Sequence, residues 1–141
     1  MTQPEETFIN SKDTLVEHLG ITFSEQSGQK VVASMPVEAR VHQPFGILHG
    51  GASVVLAETV ASTGAYLNVR KRGMVAVGLE INANHLRSVR SGTVTATATP
   101  IFQGRTTEVW HIEIKDEAGK LVCISRCTLA IIAPPSQPTA L

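Results

Sequence analysis

Glu58 is the residue whose type and placement most invite chemistry. It stands between Ala57 and Thr59 in the run GGASVVLAETVASTGAYL, and no other acid lies between Glu38 and Glu80. At helical spacing its same-face neighbours are Val54, Ala61 and Ser62. A carboxylate taken out of water is costly unless it is paired or hydrogen-bonded, so Glu58 either lies on a narrow solvated stripe or is placed for use. A second feature, His49-Gly50-Gly51, begins nine residues earlier. Two glycines at a helix start strip side chains from the place where free N–H groups point outward, and the helix dipole adds partial positive charge there. Such an end can polarise a carbonyl or hold an oxyanion; a tight turn or close backbone packing is the plainer account of a Gly-Gly pair. At about 1.5 Å of rise per residue, Glu58 lies some two turns inside that end, and the preceding loop with Gln43 can fold toward it. A carboxylate that deprotonates water or attacks directly, beside a carbonyl-binding end, makes an acyl-transfer site.

Other chemistries find less support. No GxSxG elbow is present, and Ser53 and Ser62 sit at helical positions where a hydroxyl commonly bonds its own backbone. No GxxxxGK[ST] loop cradles phosphates, and no Cys/His spacing matches a zinc site. Cys123 and Cys127 share one face of a strand-like segment, too far apart for an easy disulfide, and read as reduced core residues. Twelve Lys and Arg balance twelve Asp and Glu, which argues against a general nucleic-acid binder. No run approaches the roughly 18 apolar residues of a membrane span, and the polar, acidic start Met1 to Asn10 is no signal peptide. A soluble cytoplasmic protein is expected.

The elements that must position these residues follow from periodicity. A single domain over 1–141 is expected, with loose ends at 1–10 and 134–141. Ser11 can cap a short helix to Leu19, stopped by Gly20. Gln29 to Val37 reads as a strand with Val31, Ala33 and Met35 on one face, followed by a loop over Glu38 to Leu48. The run from Gly50 to about Leu67 is apolar nearly all round and predicts a buried helix, and Asn68 to Gly73 is a basic loop. The period then drops to two. Val75, Val77, Leu79 and Ile81 share a strand face that continues to Ala83 and His85. Thr93 to Thr99 turns Val94, Ala96 and Ala98 inward, and Thr107 to Lys115 does the same with Trp110, Ile112 and Ile114. Asp116 to Gly119 is a hairpin loop before the last strand, Leu121 to Ile132. Consecutive strands with short turns pair antiparallel. A five-stranded sheet cannot cover every face of the helix, so a second subunit or a ligand must cover the rest, most simply in a two-fold dimer.

The run QPFGILHGGASVVLAETVAS, with VGLEINANHLRSVRSG and GRTTEVWHIEI, resembles the hotdog-fold thioesterases over about residues 12–132. It is most similar to the aryl-CoA branch, which includes 1,4-dihydroxy-2-naphthoyl-CoA hydrolases and the carrier-protein proofreading thioesterases of siderophore synthesis. The resemblance implies an α+β hotdog fold, an antiparallel sheet wrapped around one long central helix. It implies hydrolysis of an aromatic or bulky acyl-CoA, with Glu58 as nucleophile or general base and the Gly50 amide polarising the carbonyl. His49 and Gln43 would border the reacting centre, and Ser62 would assist the hydrolytic water. It points to Gly78, His85, Leu86, Arg87, Ser88, Phe102, Gln103, Gly104, Arg105, Thr106, Thr107 and Arg126 as contacts for the substrate's coenzyme A portion. Any one of these arginines, met alone, would more often be a solvated surface residue. No metal or resident cofactor is implied, since coenzyme A is part of the substrate. The site would form between subunits of a homo-oligomer, a tetramer built from two dimers. Alternatives are a proofreading enzyme acting on acyl carrier protein thioesters, a hotdog hydratase, or a non-catalytic acyl-CoA binding protein. No nucleic-acid or membrane partner is expected.

Overall fold

The Ala-rich run forms helix α2 (Gly50–Val69), and beyond Gly51 none of its residues is exposed. The computed structural model describes residues 10–136. Around α2 lie six strands: β1 (Thr22–Gln26), β2 (Val31–Pro36), β3 (Val75–His85), β4 (Thr93–Gln103), β5 (Thr107–Lys115) and β6 (Leu121–Ile132). They form one sheet in the order β1-β2-β4-β5-β6-β3, with every neighbouring pair antiparallel. The helix packs against all six strands, which is the α+β hotdog arrangement. The inward faces are those the period of two predicts: Val31, Ala33 and Met35; Val94, Ala96 and Ala98; Trp110, Ile112 and Ile114 are all fully buried. Full burial of each larger apolar side chain stabilises by roughly 1.5–3 kcal/mol. Small residues on α2 let the sheet approach its backbone; a Cβ at Gly64 would lie inside the Trp110 indole.

Several boundaries differ from the expectation. Helix α1 is a single turn, Leu15–His18, with no side-chain capping hydrogen bond and with Thr14 rather than Ser11 at its N-cap position, because Asp13 adopts a left-handed φ of 61° that no helix can pass through. Gly20, at φ 70°, stops it as expected. The strand β1 is an addition: of its residues Thr22 to Gln26 only Phe23 is strongly apolar, so the pattern of an edge strand was too weak to read. α2 runs on to Val69 and into a 3-10 turn over Arg70–Arg72, and β4 continues past Pro100 to Gln103. Of the ends expected to be loose, Asn10 and residues 134–136 are exposed and outside any element; the rest of 1–10 and 134–141 lies outside the described residues. No helix among the described residues is long and apolar enough to cross a membrane.

The difference with most consequence is in β3. Its pairing with β6 runs Gly78 to Leu129 and then Glu80 to Thr128, so Leu79 is an extra residue in a bulge. One inserted residue exchanges the two faces of the strand beyond it. Ala76 faces the core before the bulge, and Ile81 and Ala83 face it afterwards. Val77 and Leu79 instead lie on the surface, 43% and 67% exposed. The six residues expected on one face are therefore divided between two, and β3 is also an edge strand with one side unpaired.

Candidate active site

α2 carries the candidate chemistry at two places, and each opens onto a pocket of its own. At the helix start His49 is the N-cap, with its Nδ1 accepting a hydrogen bond from the Gly51 N–H at 2.8 Å. An accepting Nδ1 leaves the ring proton of neutral His49 on Nε2, as a donor. The Ala52 and Ser53 N–H groups both donate to the His49 carbonyl. That leaves the Gly50 N–H, which has no hydrogen-bond partner among the described residues. The ring of His85, at the end of β3, lies across this glycine: a Cβ at position 50 would come 2.8 Å from Nε2. Gln43 is held by its loop, donating its N–H to the Ile47 carbonyl at 2.8 Å and accepting the Phe45 N–H on its side-chain oxygen. Gln43, Gly50, Ser53, His85, Arg87 and Ser88 line a pocket of about 340 Å³, with Leu86 beside them. It is rich in donors and carries the charge of Arg87, which suits a polarised carbonyl and anionic groups beyond it.

Glu58 opens onto the other pocket, a cavity of about 540 Å³ whose walls include Val16, Val55, Thr59, Ser62, Thr63 and Tyr66. Its carboxylate is half-buried and has no hydrogen-bond or ion-pair partner among the described residues. Gly78 on β3 lies directly against it, so that a Cβ there would overlap Oε1. Cys127 lies nearby under the sheet; burial first, then the charges of Glu58 and Glu80, push its thiol up to about 12. Burial also raises Cys123. Both are free and stay protonated at physiological pH, where a thiol is a poor nucleophile. Among the described residues no three His, Cys, Asp or Glu gather as a metal-ligand set.

The residues singled out from the sequence thus fall into distinct places. His85, Leu86, Arg87 and Ser88 join Gln43 and Gly50 at the helix start, with the exposed His49 as its cap. Ser62 and Gly78 join Glu58. Phe102 to Thr107 lies at the other end of the molecule, where β4 turns into β5 beside the C-terminal end of α2; Arg105 and Thr106 are exposed there. The Gln103 side-chain amide is already engaged, donating to the Gly28 carbonyl at 2.8 Å and to Glu108 Oε1 at 3.1 Å. Arg126 is exposed on the outer face of β6, opposite Asn82 and His111.

Glu108 is the residue that sequence reasoning missed. It is fully buried, and its carboxylate accepts from Asn68 Nδ2 at 3.0 Å, Gln103 Nε2 at 3.1 Å and Trp110 Nε1 at 3.1 Å. The signal was available: in TEVWHIEI it shares the parity of Trp110, Ile112 and Ile114.

A helix wrapped by a six-stranded antiparallel sheet, with a carboxylate mid-helix and a bare glycine start, has the form of a hotdog thioesterase. The chain belongs to the thioesterase superfamily, whose family model matches residues 45–123, and it is a thioester hydrolase by that membership. It is similar to a 1,4-dihydroxy-2-naphthoyl-CoA hydrolase of Listeria monocytogenes, 53% identical over 83% of this chain and 94% of that one. It is 47% identical to the proofreading thioesterase EntH of Cronobacter sakazakii, over 86% of this chain and 88% of that one. A crystal structure of a thioesterase from Haemophilus influenzae superposes with a TM-score of 0.83 at 52% identity, covering 87% of this chain and 85% of the other.

Proposed function

We propose that this enzyme hydrolyses coenzyme A thioesters of aromatic or similarly bulky acids, with Glu58 as nucleophile or general base. The observation that carries this reading is an unpartnered carboxylate opening onto a cavity of about 540 Å³. An acyl group seated there puts its carbonyl carbon near the carboxylate. The oxygen of water ends on that carbon, the C–S bond breaks, and the leaving thiolate takes the proton. The Gly50 N–H, free of other partners, stabilises the oxygen that gains charge, and Gln43 and His49 border it. Ser62 assists the water. The hydroxyls of Ser62, Thr63 and Tyr66 suit an acyl ring that itself carries hydroxyl groups, in keeping with the relative named for a dihydroxynaphthoyl thioester. Coenzyme A is held by Gly78, by His85 through Ser88, by Phe102 through Thr107, and by Arg126. The chemistry uses side chains, amides and water, with no resident cofactor, and two free buried thiols suit a reducing cytoplasm.

Gly50 and Glu58 lie eight residues apart on one helix, about 12 Å along its axis. One thioester cannot meet both. We therefore assign the two groups of each site to different copies of the chain. The unpaired edge of β3, with Val77 and Leu79 exposed beside it, is where a second copy docks, and a two-fold pairing presents the same edge from both. Two such dimers make the tetramer. Leu79→Glu should yield monomers by light scattering and lose turnover in proportion; a fully active monomer would contradict the shared site, and an intact dimer would contradict docking at this edge.

A carrier-protein thioester is the second reading, supported by the 47% identity to a proofreading thioesterase. Thiol release from a panel of acyl-CoAs and acylated carrier proteins decides between the two. Release from aryl-CoAs, abolished in Glu58→Ala, is the expected result. Cleavage of the carrier-protein thioesters alone would move the substrate there, and binding without cleavage of either would overturn the reading.

A further inference from the structure

We infer that Gly78 is a positioning residue for Glu58, a gap in β3 that sets where the reactive carboxylate sits. Glycine is not required here by backbone conformation, since Gly78 is absent from the positive-φ glycines of the chain. It is required by volume. A Cβ on Gly78 would overlap Glu58 Oε1 and come within 3.1 Å of Cδ, so the carboxylate occupies the space that any other residue type would fill. The bulge at Leu79 completes the arrangement. It makes the inward series Ala76, Gly78, Ile81, where unbroken alternation would turn Glu80 inward after Gly78. Glu80 stays exposed and accepts from Asn82 Nδ2 at 3.0 Å. The strand beneath Glu58 therefore offers room at Gly78 and holds Glu80 on its exposed side.

This rests on the reading of Glu58 as the reacting group, which the test keeps separable. The atom displaced by a methyl at 78 is the free end of a flexible side chain, so the fold absorbs Gly78→Ala while the carboxylate moves. A misplacement of about 1 Å at a reacting group costs on the order of 100-fold in rate. Gly78→Ala should melt at or above the wild-type temperature, and its crystal structure should show the Glu58 carboxylate displaced by about 1 Å or more. Its kcat should fall on the order of 100-fold with KM for the thioester little changed. In a Glu58→Asp background the shorter side chain withdraws from Gly78, and the added methyl should cost roughly tenfold less than in wild type. An unmoved carboxylate, with the strand shifted instead, would overturn the inference. So would an equal loss in both backgrounds, which would leave Gly78 a substrate contact only. If the wild type cleaves no thioester, the functional reading fails, and the crystal structure still decides where Gly78 puts Glu58.

Discussion

Two glutamates, Glu58 and Glu108, lie in the interior of this molecule under opposite arrangements. Glu108 is fully enclosed and accepts three N–H donors, from the end of α2, from β4 and from β5. Glu58 is less buried, opens onto a cavity and has no partner among the described residues. The contrast teaches that depth alone does not set what a carboxylate is free to do; its unmet hydrogen-bonding capacity does. A satisfied carboxylate ties elements together, because removing it strands its donors. An unsatisfied one facing a cavity is left for substrate and water.

The largest expected effect separates the two roles. Glu58→Gln should lower kcat by about 10²–10⁴-fold, the usual range for a general acid or base, with the melting temperature unchanged or raised. Activity within a few-fold of wild type would erase the distinction. Glu108→Ala should do the reverse. It leaves the Asn68, Gln103 and Trp110 donors without that acceptor and should cost about 1–3 kcal/mol of unfolding free energy for each donor left unmet in the interior. Turnover per folded molecule should stay near wild type. Urea denaturation with activity normalised to folded fraction measures both, and a stable but inactive Glu108→Ala would place that carboxylate in the chemistry.

The smallest effect sharpens the comparison through Cys127, which pairs with Trp110 on one side and Ile81 on the other. Its thiol rises from the ordinary 9.0 to about 12, by burial first and then by Glu58 and Glu80. The folded protein keeps this proton in a range where the unfolded chain releases it. The contribution to stability is thus complete below about pH 9 and is lost as pH rises toward 12. The urea midpoint should fall between pH 9 and 11, less steeply in Cys127→Ala. Glu58→Gln, which removes one of the raising charges, should also flatten the fall slightly, whereas Glu108→Gln should leave the slope alone. Equal slopes in wild type and Glu58→Gln would mean that the Glu58 charge does not reach this thiol.

Much of this was legible in the chain itself. The inward residues of β2, β4, β5 and β6 follow from alternation, because a strand packed on one side selects apolar residues at every second position. α2 follows from its small apolar composition, and Glu58 stands out because an acid there conflicts with everything around it. Glu108 was less legible for the opposite reason: its parity places it inside, but its donors come from residues 68, 103 and 110, whose convergence no local pattern encodes. β1 was missed because an edge strand has little to bury.

What the sequence by itself determined is therefore the set of elements apart from β1, most of their buried faces and the one carboxylate out of place. Tertiary structure alone decided the Leu79 bulge, which divides β3 between two faces, exposes Val77 and Leu79 and brings Gly78 against Glu58. It also decided that Gly50 and Glu58 open into different pockets. The physical reason is common to both. Periodicity reports how a segment meets an average core, whereas a bulge and a split site depend on which strand lies opposite and on how far apart a rigid helix holds two residues.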